Sequence, residues 1–222
     1  MAITSSKYAV TARPVSILAQ LLGMVVIILV LVWVLHFEGG LAFKSENKKK
    51  ILNLHAVFMI LGPVLAAGEA IMVYQTVKAR KRTQKLVHLT FHFIGLLLGI
   101  LGIYAIFKFH NEVGMWNMFT LHSWLGTITI CSFGFQWLLG FFMYFFPGAE
   151  KSSKSTLLPW HIYAGMVIFV LAVCSTEIGL AQAFISLGLG RTQEALIVNF
   201  TSLFVFIFAA SVGLTVFLPR GD

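Results

Sequence analysis

The chain has 222 residues, of which 59% are hydrophobic and only 11% charged. Soluble domains carry roughly a quarter of their residues as charges, so a water-soluble enzyme or nucleic-acid binder is excluded despite the formal charge of +8. Lipid must be the solvent for most of the surface.

A helix needs about 20 apolar residues to cross a hydrocarbon core of roughly 30 Å. Six runs meet that length, at about 15–35, 51–77, 86–107, 119–145, 160–186 and 195–218. They are too long and unbroken for barrel strands, and backbone groups in lipid must be satisfied within the segment. The expected fold is all-α, a bundle of six transmembrane helices forming one domain over 1–222. The first run is longer than the apolar core of a secretory signal and no small-x-small cleavage site follows it, so it reads as a retained span. His36 ends this run and reads as an interfacial residue. The second run contains Pro63, where a kink is expected. The third carries His88 and His92 near its start and reaches Lys108 and His110 at its end. Cys131 in the fourth run and Cys174 in the fifth read as buried, inert thiols. Pro159 is expected in the first turn of the fifth helix, where its missing N–H costs nothing. The sixth run contains the sequon Asn199-Phe200-Thr201, expected to stay unused inside a span. Connections are short, which makes neighbouring helices antiparallel.

Charge distribution orients the chain. The amino end, the second and fourth loops and the carboxyl end carry ten cations (Lys7, Arg13, Lys78, Arg80, Lys81, Arg82, Lys85, Lys151, Lys154, Arg220) against Glu150 and Asp222. The other face has six cations against four acids, with the run Lys48-Lys49-Lys50 working against the bias. The positive-inside rule places both termini in the cytosol.

Histidines carry the functional signal, because ionisable groups inside spans are rare. His55, His88 or His92, His122 and His161 are expected in the first turns of four consecutive helices. Alternation puts His55 and His122 at one depth, near the non-cytosolic face, and His88 and His161 near the cytosolic face. Alternate helices of a four-helix bundle are diagonal partners, with room across the core for a flat macrocycle between two imidazoles. Helix N-termini beside such sites would favour haem propionates. Two axial imidazoles leave no open iron position, which suits electron transfer. The competing reading is a histidine-lined transition-metal transporter without haem. Spacing alone does not choose between His88 and His92, which lie one turn apart on one face.

Thr120-Leu121-His122-Ser123-Trp124 resembles the Ser-Leu-His-Ser-Trp signature of the cytochrome b561 family of ascorbate-dependent transmembrane electron carriers. Ala70-Ile71-Met72-Val73-Tyr74, Lys85-Leu86-Val87-His88, Lys108-Phe109-His110, Phe146-Pro147-Gly148 and Pro159-Trp160-His161 are further similarities, over about residues 30–215. The likeness is greatest to plant members. The resemblance implies two haem b groups, one ligated by His55 with His122 and the other by His88 with His161, with Phe119 and Thr120 at the cofactor site. It thereby selects His88 over His92. It implies cytosolic ascorbate as donor, bound by Lys81, Lys85 and Lys154 with Tyr144 nearby, and a homodimer in an endomembrane (vacuolar or secretory vesicle) or the plasma membrane. On the far side it implies monodehydroascorbate or ferric chelates as acceptor beside His110. Thr120 departs from the signature serine but keeps a hydroxyl for a propionate, and Lys154 keeps the charge but not the fork of the arginine found in some relatives. Independently of the resemblance, Lys81 and Lys85 are i, i+4 on one helix face and supply the charge and donors that a monoanionic ascorbate needs. An imidazole is the side chain suited to give the acceptor radical a proton near neutral pH, which gives His110 a catalytic role.

Overall fold

Six helices long and apolar enough to span a membrane build the structure, a computed structural model that describes residues 11–220. Lys7 and Asp222, both counted in the charge balance, lie outside the described residues. The helices are α1 (Ala12–Phe37), α2 (Lys49–Thr76), α3 (Lys81–Val113), α4 (Leu121–Phe145), α5 (Lys151–Ser186) and α6 (Gln193–Phe217). There is no strand among the described residues, and the chain is an integral, multi-pass membrane protein.

Packing within the bundle follows from which helices are rich in small residues. α1 lies on α6, where Gly23 lets the Phe208 ring approach and Val26, Val30, Val205 and Val212 close the seam. α2 is the central helix, with Ile51, Val57, Ile60, Val64, Met72 and Val73 all buried, whereas α4 is exposed along much of its length. The α2 backbone touches that of α3, since a methyl added at Gly62 would sit 2.7 Å from the Gly95 carbonyl oxygen. α4 pairs with α5, α3 touches α4, and α5 touches the middle of α2. The pairs α2/α4 and α3/α5 are therefore the diagonals of a four-helix core, and α1 and α6 flank it.

Pro63 distorts α2 as a widened π-helical turn over Ile60–Ala66. A proline cannot donate to the preceding turn, and the wider turn accommodates it inside the helix. Pro159 is a correction to the sequence reading. It lies well inside α5, which begins at Lys151 with Glu150 extended before it. A helix of 36 residues absorbs one forfeited hydrogen bond, and its polar first turns project past the apolar stretch. α3 likewise starts at Lys81, ahead of the apolar run. The cysteines are a second correction: both are free and exposed on α4 and α5 rather than buried, because the faces that carry them do not pack against other helices. Asn199 and Thr201 lie within α6.

The start of α1 and the segment after α6 meet at one face. Ala12 donates its N–H to the Pro219 carbonyl at 2.9 Å, and Arg220 donates to the Val77 carbonyl at 2.9 Å.

Candidate functional site

Two pairs of imidazoles face each other across the diagonals. The His55 and His122 ring centres are 6.0 Å apart, and those of His88 and His161 are 6.4 Å apart. A metal–imidazole nitrogen bond is roughly 2 Å long, so two axial rings on one iron have their centres roughly 6 Å apart. Both pairs match that spacing, and the donor set of paired imidazoles is the one used by low-spin haem iron.

The rings are held by the neighbouring helix. His55 Nδ1 lies 3.0 Å from the Gly102 carbonyl oxygen on α3, and His88 Nδ1 lies 2.8 Å from the Ala70 carbonyl oxygen on α2. On the other pair of helices, His122 Nδ1 lies 2.9 Å from the Ser175 carbonyl oxygen of α5. Each of these bonds fixes the tautomer that carries its proton on Nδ1 and leaves Nε2 for a metal. His161 differs: the amide Nε2 of Gln136 lies 3.0 Å from its Nδ1 and donates to the His161 carbonyl at 2.8 Å. Glycines make room for two of the rings. A methyl on Gly179 would lie 2.7 Å from His122 Cε1, and one on Gly140 would lie 3.2 Å from His161 Cε1.

Only one of the four rings stands at a helix N-terminus. His122 stands in the first turn of α4, but His55, His88 and His161 stand further along α2, α3 and α5 because those helices begin earlier than their apolar runs. His92 packs edge-on against His88 at 4.5 Å and against Phe133 at 5.4 Å, and its Nδ1 is buried without a hydrogen-bond partner.

Each pair opens into its own cavity. One of about 460 Å³ contains His88 and His161 and is lined by Lys85, Tyr74, Gln75 and Tyr144. The Tyr144 ring lies 5.1 Å from His161. Lys81 is exposed at the first turn of α3, and Lys154 sits half-buried beside the Gly148 turn; neither lines this cavity. Of the three lysines, the structure therefore brings only Lys85 together with Tyr144 and the ring pair.

The second cavity, of about 290 Å³, contains His55 and His122 and is lined by His110, Phe119 and Thr120. His110 Nδ1 lies 3.0 Å from Asn117 Oδ1, and Asn117 Nδ2 donates to Asn111 Oδ1 at 3.1 Å. The left-handed Gly114 that ends α3 turns the chain back so that Asn117 reaches His110. Thr120 spends its hydroxyl on the start of α4, accepting from the Ser123 N–H at 3.2 Å in a capping box. Its role in the structure is therefore to cap the helix that carries His122. Glu38 also lines this cavity, ion-paired to Lys49 at 3.3 Å. Burial raises its carboxyl above the usual range, and a hydrogen bond shared with Glu194 adds to this, while Lys49 works against it. Glu194 also accepts from Trp33 Nε1 at 2.9 Å.

The sequence reading did not single out Gln136, Gly140, Gly179 or the Glu38–Glu194 contact. A lone carboxamide in the apolar fourth run was the one available signal; glycines in membrane helices are too common to mark a site.

Comparison with known proteins bears on the whole arrangement. Residues 54–187 match the family model for eukaryotic cytochrome b561. The chain is 46% identical to the "Probable ascorbate-specific transmembrane electron transporter 1" of Oryza sativa subsp. japonica, over 91% of this chain and 89% of that one. It is 41% identical to the "Transmembrane ascorbate ferrireductase 1" of Arabidopsis thaliana, over 93% and 88%. Against the transmembrane ascorbate-dependent reductase of Bos taurus the identity is 33%, over 87% and 78%. With four membrane helices arranged around two imidazole pairs, and with the matched region running from the helix of His55 to the end of α5, the chain belongs to the cytochrome b561 family.

Proposed function

We propose that this transmembrane oxidoreductase takes single electrons from cytosolic ascorbate and delivers them to monodehydroascorbate or ferric chelates on the opposite face. In this reading His88 and His161 hold one haem b and His55 and His122 hold a second. The observation that carries it is the pair of imidazole pairs, each spaced for a six-coordinate iron, at opposite ends of one helical core. Bound in this way, haem iron supplies a one-electron couple with no open coordination position.

The chain's own residues do the rest. Carbonyls of Gly102, Ala70 and Ser175 orient three of the rings. Lys85, in the cavity wall, gives the ascorbate monoanion a positive charge and a donor beside Tyr144, and Lys81 and Lys154 add charge at the approach. On the acceptor side Asn117 Oδ1 accepts a hydrogen bond from His110 Nδ1–H. His110 Nε2 is then free to hold the proton that reduction of monodehydroascorbate takes up. Both termini are cytosolic, and the working form is a homodimer in an endomembrane or the plasma membrane. A metal transporter is not favoured, because the relatives are named as electron transporters and reductases.

Reduced-minus-oxidised spectra of purified variants test the reading. Wild type should show two b-type components. His55→Ala and His122→Ala should each lose the same one, His88→Ala and His161→Ala the other, and His92→Ala neither. A wild type without a b-type spectrum would refute the proposal. A His88→Ala variant that keeps both components while His92→Ala loses one would refute the ligand assignment.

A further inference from the structure

The clasping of the four rings is reciprocal. α2 holds a ring of α3 and α3 holds a ring of α2; α4 and α5 repeat the exchange. In three cases the partner is a main-chain carbonyl, and in the fourth it is the Gln136 side chain. The orientation of that amide is set by its second contact. Turning it over would place Oε1 about 2.8 Å from the His161 carbonyl oxygen, two acceptors face to face, so the nitrogen must point at the histidine. An amide nitrogen donates and does not accept. A neutral imidazole bound to iron through Nε2 carries its remaining proton on Nδ1, and at His161 that proton meets no acceptor.

Hydrogen bonding from Nδ1–H to an acceptor raises the basicity of an imidazole ligand and stabilises the ferric state, which lowers the midpoint potential. We infer that Gln136 is a positioning residue that keeps His161 the weakest donor of the four rings, and so holds the midpoint of the cytosolic-side haem above the value two carbonyl-bonded imidazoles would give. The amide also ties α4 to α5 at the level of the ring through its bond to the His161 carbonyl. The inference rests on the haem reading above.

Spectroscopic redox titration of the holoprotein tests it, with ferric EPR of the same samples. Gln136→Glu supplies an acceptor. The midpoint of the haem lost in His161→Ala should fall enough to shift its one-electron equilibrium about tenfold, which is about 59 mV. Its EPR signal should move toward stronger ligand donation, and the other haem should keep its midpoint. Gln136→Leu, which deletes the amide and adds no acceptor, should move the midpoint less than a third as far. Should the carboxylate prevent haem assembly, Gln136→Ser admits a water as neutral acceptor and should lower the midpoint with the same EPR change. An unmoved midpoint, an equal shift at both haems, an equal shift in the leucine variant, or a fall without EPR change (charge acting through space) would each overturn the inference. A wild type lacking b-type haem would overturn the haem reading together with it, whereas two normal haems with an unmoved midpoint overturn this inference alone.

Discussion

One missing methyl group decides whether His122 keeps its place. Gly179 lies under that ring, and a Cβ there would stand 2.7 Å from Cε1, nearer than real side-chain atoms approach. The ring cannot retreat without breaking its 2.9 Å bond to the Ser175 carbonyl. Gly179→Ala should therefore remove most of the haem signal that His122→Ala removes, and leave the other component intact. Gly140→Ala, with 3.2 Å at His161, should cost less, because a few tenths of an ångström of movement suffice. Difference spectra of the two variants check this, and equal haem content in both would contradict it. At this scale the sequence was legible where chemistry is unusual for its setting. Histidines inside apolar runs announce themselves; spacing named three of the four that the structure pairs and left His88 level with His92 until the family resemblance selected it. Their supports were not legible, because a carbonyl can come from any residue and a permissive glycine looks like any other.

Among the elements, α3 joins donor chemistry to membrane topology. Lys81 and Lys85 share its first turns, one exposed and the other in the cavity wall beside Tyr144. Charge at short range and partly shielded from water acts more strongly than charge in bulk solvent. Lys85→Ala should slow reduction by ascorbate several-fold more than Lys81→Ala, with haem content and dithionite reduction unchanged in both. Rising ionic strength should weaken the effect of Lys81 first. Stopped-flow reduction with ascorbate and with dithionite measures the difference, and wild-type ascorbate rates in both variants would make these lysines topological charges only. Helix starts were the least legible feature. Apolar length marks the part of a helix inside hydrocarbon, whereas α3 and α5 begin in polar sequence outside it. For that reason His122 alone of the four ligand candidates stands in a first turn.

The whole molecule is two clasped helix pairs, α2 with α3 and α4 with α5, braced by α1 and α6. The brace is fastened at the face opposite the Ala12–Pro219 contact, where buried Glu38 shares a hydrogen bond with Glu194 at the start of α6. Glu38 is only 8% exposed, and burial holds its carboxyl above the usual range. A raised carboxyl contributes stability that is complete below its unfolded pKa and is lost as pH rises through the folded value. The thermal midpoint in detergent should thus fall as pH rises through and above the usual carboxylate range. Glu38→Gln, which keeps a hydrogen bond without a charge, should flatten that fall; an unchanged slope would place the dependence elsewhere. The all-α class and the count of six helices were legible from composition and run length. The Glu38 fastening was not, since no pattern links residue 38 to residue 194.

Sealed vesicles show whether electrons cross the membrane within this chain. Proteoliposomes containing the holoprotein are loaded with ferricyanide, given ascorbate outside, and followed by the loss of trapped ferricyanide absorbance. Wild-type vesicles should consume the trapped acceptor well above the rate of empty ones, and both His122→Ala and His161→Ala should bring the rate down to that background. Wild-type vesicles no faster than empty ones, with the haem spectrum intact, would contradict transmembrane electron transfer by this protein.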